Sequence, residues 1–172
     1  MTLVILTITI GIVSGSGWGV GGILGYNGDN ASIMNSYSLY EVNGAISVGG
    51  IVGTHSGAEV RNAVALNPNV SGDEFNGRIM STKWGSPLEG DVSNNHARND
   101  MLINSEPFIG IGKLSNEHGA SVAIGTIHTQ AFWQTTMGWD FNNIWQWNAS
   151  TKLPILRNVG GEQNHTLIGT GK

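Results

Sequence analysis

No cysteine occurs in the chain, which excludes disulfide bridges and thiolate chemistry and leaves export open without establishing it. Charge is sparse as well: charged residues make up 12% of the sequence and the formal net charge is −4. Neither the basic footprint of a nucleic-acid binder nor a polybasic membrane patch is present. Long apolar runs are missing too. The run from Met1 to Val13, MTLVILTITIGIV, stops after about 13 residues, and a membrane-spanning helix needs roughly 20. It lacks the basic n-region of a signal peptide, and its threonines alternate with Ile and Leu as in a strand.

Signatures of site chemistry are equally scarce. The histidines at 55, 96, 118, 128 and 165 show neither i, i+4 nor HxH spacing, so they define no metal cluster. No HExxH zinc motif is present, and GxSxG is absent from the strand-to-helix context a serine nucleophile requires. The Asn27 to Asn30 loop offers oxygen atoms, but it has neither the acidic alternation of an EF-hand nor copies of GGxGxD. Glu41, Asp73, Glu74 and Asp100 form no aligned acid pair with a matching lysine or arginine, as a polysaccharide-cleaving enzyme would require. No cofactor is implied.

What the sequence does have is glycine, 26 residues of it, with 40% hydrophobic residues and six tryptophans. That apolar content is enough for a folded chain despite the low charge. The glycines recur. Val20 to Gly25 reads VGGILG, and twenty-eight positions later Val48 to Gly53 reads VGGIVG. Ile33-Met34-Asn35-Ser36-Tyr37-Ser38 is echoed by Val60-Arg61-Asn62-Ala63-Val64-Ala65, and Val42-Asn43-Gly44 by Val70-Ser71-Gly72. A degraded third copy runs through Asn76-Gly77-Arg78-Ile79-Met80-Ser81 and Asn94-Asn95-His96-Ala97, with an insertion around Trp84 to Leu88. A fixed period of this length marks units that bury their apolar faces only by stacking. β-branched runs ending at Gly and Asn predict strands, since a mid-element Gly-Gly opposes a helix. A phosphate-cradling glycine loop would need a helix next, and Tyr26-Asn27-Gly28-Asp29-Asn30 reads as a turn.

The repeating residues GGILGYN then IMNSYS, and GGIVGTH then VRNAVA, resemble the GLUG repeat of bacterial surface and secreted proteins. The resemblance covers Val20 to Gly72 well, Asn76 to Met101 poorly, and Phe132 to Arg157 well. The last stretch, from Gly138-Trp139-Asp140-Phe141 to Leu153-Pro154-Ile155-Leu156-Arg157, looks like the segment that closes such arrays. The resemblance implies a right-handed β-solenoid in exported, adhesin-like proteins and in the non-catalytic part of some IgA-cleaving metallopeptidases. It carries over no catalytic residue.

The expected fold is therefore all-β: a right-handed parallel β-helix of about three coils with a Trp-rich C-terminal cap. Residues 1–103 hold the coils, near 1–17 (partial), 18–45, 46–73 and 74–103. Residues 104–137 form an irregular connection, 138–158 the cap, and 159–172 a tail or linker. In the connection, Ser121 to Ile127 reads as a strand and Thr129 to Met137 as a short helix. Gly21, Gly22, Gly25, Gly49, Gly50 and Gly53 are expected where the backbone bends sharply or packs closely on the next coil. Asn35, Asn62 and Asn94 should stack amide to amide. Simple alternation puts Ile33, Tyr37 and Leu39 inside with Val60, Val64 and Leu66, and Ala63 and Ala65 outside. On that register Arg98 replaces a core leucine, so the third coil is expected to splay and the array to end.

Trp139 and Trp145 are expected to plug an open end of the solenoid, whereas Trp84 and Trp147 are the candidates for exposure and ligand contact. Four N-x-S/T sequons, at Asn30, Asn69, Asn148 and Asn164, are within chance for so Asn-rich a chain. Functionally, the sequence points to a non-enzymatic extracellular module, a stalk or adhesive surface of a larger cell-surface or secreted protein. Its partners would be host or cell-surface proteins or glycans, with no nucleic acid and no membrane insertion, and it would adjoin further repeats or domains. Carbohydrate binding through exposed tryptophans is the alternative, and a polysaccharide-cleaving β-helix a third reading.

Overall fold

The structure, a computed structural model, describes residues 11–28, 31–82, 90–161, 163 and 165–170. The strand expected over Met1 to Val13 lies mostly outside these residues, as do Trp84 and its insertion, and the sequons at Asn30 and Asn164.

Strand β1 (Ile12–Ser14) is followed by a first full rung of five short strands: β2 (Trp18–Gly21), β3 (Leu24–Asn27), β4 (Ser32–Met34), β5 (Tyr37–Ser38) and β6 (Glu41–Asn43). A second rung repeats them as β7 (Ile46–Gly49), β8 (Val52–His55), β9 (Glu59–Arg61), β10 (Val64–Ala65) and β11 (Asn69–Ser71). The third comprises β12 (Glu74–Gly77), β13 (Met80–Thr82), β14 (Val92–Ser93), β15 (His96–Arg98) and β16 (Leu102–Ile103). Equivalent strands stack in parallel. Gly21 pairs with Gly49 and Gly49 with Gly77, while Val13, Val42, Val70 and Ile103 form one continuous file. The chain is a β-solenoid.

Stacking continues past Ile103. Strand β17 (Glu106–Pro107) turns back antiparallel on β16, and β18 (Ala120–Val122) lies parallel on β15, which begins a partial fourth turn. Between them, the Glu117 carbonyl accepts from Ile79 and Met80, and the Leu114 carbonyl from Asn95. Residues sketched as an irregular connection thus supply hydrogen-bond acceptors to the last full rung. Beyond β18 come one turn of helix, α1 (Ile124–Ile127), a π-helical turn (Phe132–Thr136), and a hairpin of β19 (Trp145–Asn148) with β20 (Leu153–Leu156). Pro154 sits in β20, whose only sheet neighbour among the described residues is β19, so the missing N–H breaks no further ladder there.

Two apolar clusters hold this together. The first fills the rungs with small side chains, among them Val20, Val48, Ile51, Val60, Ala63, Ala65 and Ala97. The second gathers Leu39, Val64 and Leu66 with Trp133, Trp139 and Trp145 on the outside of the β5, β10, β15, β18 sheet. Here the alternation expected from the sequence is reversed: Ala63 and Ala65 face inward, and Tyr37, Leu39, Val64 and Leu66 face outward. Asn35, Asn62 and Asn94 cause the reversal. Their φ values of 49°, 51° and 51° put them in the left-handed region, so each turns a corner inside what reads as one continuous strand. Side-chain parity changes across that corner.

The same reversal corrects two further expectations. Arg98 does continue the file of Leu39 and Leu66, but that file faces the outer cluster and not the rung interior, and β15 pairs in register with both β10 and β18, so the third coil is not splayed. The aromatic cap plugs no end. It lies along a side wall, where the Tyr37 hydroxyl on the first rung donates to the Pro154 carbonyl at 2.9 Å and Trp139 Nε1 donates to the Asn62 carbonyl on the second at 3.1 Å. Asn94 on the third donates to the Thr136 carbonyl at 3.3 Å.

Candidate interaction surfaces

The recurring glycines face backbone. A Cβ on Gly49 would come within 2.7 Å of Met80 Cα in the rung below, and one on Gly50 within 2.6 Å of Asn67 Oδ1. Gly21, Gly22, Gly25 and Gly53 are likewise closed in by atoms of their own or the adjoining rung. These positions leave no space for a phosphate or any other ligand.

The asparagines form columns. Asn62 Nδ2 donates to Asn35 Oδ1 at 3.2 Å, and Asn94 Nδ2 to Asn62 Oδ1 at 2.9 Å. A second polar line is buried: Asn67 Nδ2 reaches Ser38 Oγ at 3.0 Å and the Tyr40 carbonyl. On the outer surface, Asn69 Nδ2 donates to Glu41 Oε1 at 3.2 Å, so that acid is tied to the stack. Amide side chains suit this task because each carries both donor and acceptor and can pass a hydrogen bond from rung to rung.

Arg78 is the residue that sequence reasoning passed over. It stands where the first two rungs have Gly22 and Gly50, and it is fully buried. Its guanidinium donates to the carbonyls of Gly119 at 2.8 Å, His118 at 3.1 Å and Arg98 at 3.4 Å, and lies 4.2 Å from the centre of the Phe108 ring. Burial pulls its pKa down to about 10, so it remains a cation at neutral pH. Three carbonyl dipoles and an aromatic face stabilise it. The broken glycine register at Asn76-Gly77-Arg78 was the available signal: a long cation can replace the corner glycine only where no equivalent rung packs below.

Arg98 is buried too, but paired. Its Nε lies 2.7 Å from Asp100 Oδ1, and the hydrogen bonds and charge of Arg98 hold the Asp100 carboxyl below the usual range. Its Nη1 donates to the Leu66 carbonyl at 3.1 Å and the Ile168 carbonyl at 2.6 Å, which fastens the C-terminal tail to the wall. Within the wall, burial first and the nearby Tyr40 second raise the Tyr37 phenol. Burial lowers His96, His118, His128 and His165. Among the described residues, no group of three or more His, Asp or Glu side chains is arranged to hold a metal ion.

The tryptophans divide. Trp133, Trp139 and Trp145 are buried, with Trp139 and Trp145 stacked 4.3 Å apart at 27°. Trp147, expected to be open, is half-buried and packs against the same cluster. Trp84 lies outside the described residues. Among the described tryptophans the most exposed is Trp18, on β2, with Tyr26 exposed on the neighbouring β3.

Five-sided rungs in parallel register, with an aromatic layer along one wall, define a β-solenoid repeat module. The family model described as the GLUG motif matches residues 16–42, which span nearly all of the first full rung. No curated protein and no solved structure matches the chain.

Proposed function

We propose that this chain is a non-enzymatic module of a larger bacterial surface or secreted protein, where it acts outside the cell as a stalk or adhesive surface. The observation that carries the reading is where the recurring polar residues go: Asn35, Asn62 and Asn94 bond to one another from rung to rung. Their recurrence serves elongation of a wall, as repeat architectures require. A wall of this kind offers broad contact to a host protein, a cell-surface protein or a glycan. Antibodies raised against the chain should label intact cells of the source organism, and protease treatment of those cells should remove the label. Labelling that needs permeabilised cells would overturn the location. Release of new reducing ends or unsaturated products from acidic polysaccharides would overturn the non-enzymatic part.

A second reading, carbohydrate binding, is supported by the exposed indole of Trp18 and the half-buried Trp147, since flat aromatic faces stack on sugar rings. A glycan array with the parent chain beside Trp18→Ala, Trp84→Ala and Trp147→Ala variants tests it. Binding that weakens in a variant supports this reading, and a silent parent chain removes it.

A further inference from the structure

The outer edge of β20 is closed by a side chain. Arg157 sends its N–H to the Ile144 carbonyl on the hairpin side, so Leu156 and Pro154 turn their backbone groups the other way, out of the hairpin. Pro154 has no N–H to offer there, and its carbonyl accepts from the Tyr37 hydroxyl. Leu156 has both groups, and one carboxamide satisfies both: its N–H donates to Gln163 Oε1 at 2.9 Å, and its carbonyl accepts from Gln163 Nε2 at 3.1 Å. The glutamine amide stands in for the peptide group of a neighbouring strand.

The residues that follow lie on the same wall. His165 is buried, Thr166 exposed, Leu167 packed against the aromatic cluster and Ile168 exposed again, which is the alternation of an extended segment with one side down. Arg98 Nη1 then holds the Ile168 carbonyl at 2.6 Å. Among the described residues no backbone-to-backbone hydrogen bond joins this segment to the rest of the chain, so side chains do the fastening. The link before it is of another kind. Asn158, Val159, Gly160 and Gly161 are all exposed, Asn158 and Gly161 have φ of 57° and 93°, and a Cβ added at Gly160 or Gly161 would meet no atom within 4 Å. The Val159 carbonyl is met at 3.3 Å by Gln163 Nε2, from the segment itself. A glycine pair with nothing packed on it can change its dihedral angles at little cost.

We propose that Gln163 and residues 165–168 form a strap over the aromatic wall, which swings on the Asn158–Gly161 link and opens as one unit while the β19–β20 hairpin and the rungs stay closed. A segment fastened by a few side chains over a small buried area belongs to the least stable part of a fold. Opening bares the Leu156 peptide group, the flank of the cluster beneath Leu167 and one side of Arg98, which keeps Asp100 and the Leu66 carbonyl as partners. The strap thereby sets how much of the wall is accessible.

Hydrogen exchange read residue by residue by nuclear magnetic resonance on the full 172-residue chain tests this. Two adjacent amides separate strap from hairpin, because the Leu156 N–H donates to Gln163 and the Arg157 N–H to the Ile144 carbonyl. Corrected for intrinsic rates, Leu156 should exchange about tenfold or more faster than Arg157. Leu167→Ser, at the far end of the strap, should speed Leu156 roughly a further tenfold and leave Arg157 unchanged, and Leu167→Ala should do the same more mildly. Thr166→Ala, on the exposed side, should alter neither amide. Equal protection of Leu156 and Arg157 in the parent chain would mean that strap and hairpin open together, which overturns the proposal. So would a Leu156 rate indifferent to both Leu167 variants, since the anchors would then open independently, or a Leu167 variant that speeds both amides alike.

Discussion

Inside the rungs the apolar residues are small and recur at each level: Val20 lies over Val48, Val42 over Val70, and Ala65 over Ala97. On the outer wall they are large and occur once, drawn from the last third of the chain: Phe132, Trp133, Trp139, Trp145 and Leu153. The interior is held by repetition, so each level packs against a copy of itself. The wall is held by shape, with indole rings fitted to one another and to Tyr37. A period advertises the first arrangement. Nothing periodic advertises the second.

The sharpest way to separate the two regions is to damage the wall alone. Trp139 is buried, donates to the Asn62 carbonyl and stacks on Trp145. Truncating a buried tryptophan to alanine costs about 3–5 kcal/mol. Urea denaturation of Trp139→Ala should show a loss of that size, together with loss of near-ultraviolet dichroism and retention of the far-ultraviolet strand signal. Simultaneous loss of both signals would show that wall and rungs fold as one unit, and the comparison would fail.

At the closed end the contrast is between glycine and arginine at one position of the rung. Arg78→Met keeps an unbranched side chain but leaves the carbonyls of Gly119, His118 and Arg98 without their donor. Relief from burying a cation offsets part of the loss, and a net destabilisation of about 2 kcal/mol is expected. Arg78→Lys should not restore it, because an ammonium cannot reproduce the fork that reaches three carbonyls. Hydrogen exchange should locate the effect at Ile79, Met80 and residues 114–119, with the first rung unchanged.

The asparagine column joins the two regions, and here the expected effect is smaller. Asn62 sits at φ 51° and takes part in two ladder bonds. Asn62→Gly keeps the conformation and loses the bonds, at about 1 kcal/mol. Asn62→Ala adds left-handed strain of roughly 1 kcal/mol more. If the two variants are equally stable, the corner is not what holds the parity change in place.

That corner also explains how far the sequence could be read. The rungs, their register and the stacking of Asn35, Asn62 and Asn94 follow from the twenty-eight-residue echo, because residues at equivalent positions must do equivalent things. The sides that Tyr37, Val64 and Ala65 face do not follow, since one left-handed residue shifts the alternation and Asn adopts that conformation without announcing it. Arg98 does replace the buried leucine of the other rungs, but on the outer face, where Asp100 and the tail are its partners, so its presence does not end the register.

The gentlest probe of the wall is acid. His96 meets the Phe132 ring edge-on at 5.5 Å, and burial, opposed by a hydrogen bond with the Asn94 backbone, pushes its pKa below the ordinary value. An unfolded histidine takes up its proton near pH ~6.5. Between the lowered folded value and that point the unfolded chain binds more protons, so stability present at neutral pH is lost as pH falls through the mid-sixes. His118, His128 and His165 are displaced in the same direction, so the wild-type slope is a sum. Urea midpoints at pH 7.5 and 5.5 should differ less in His96→Leu than in the parent, with the near-ultraviolet signal reporting the difference. An unchanged slope would place the acid sensitivity at the other three histidines, and His96 would then be a packing residue of the wall whose protonation the fold does not feel.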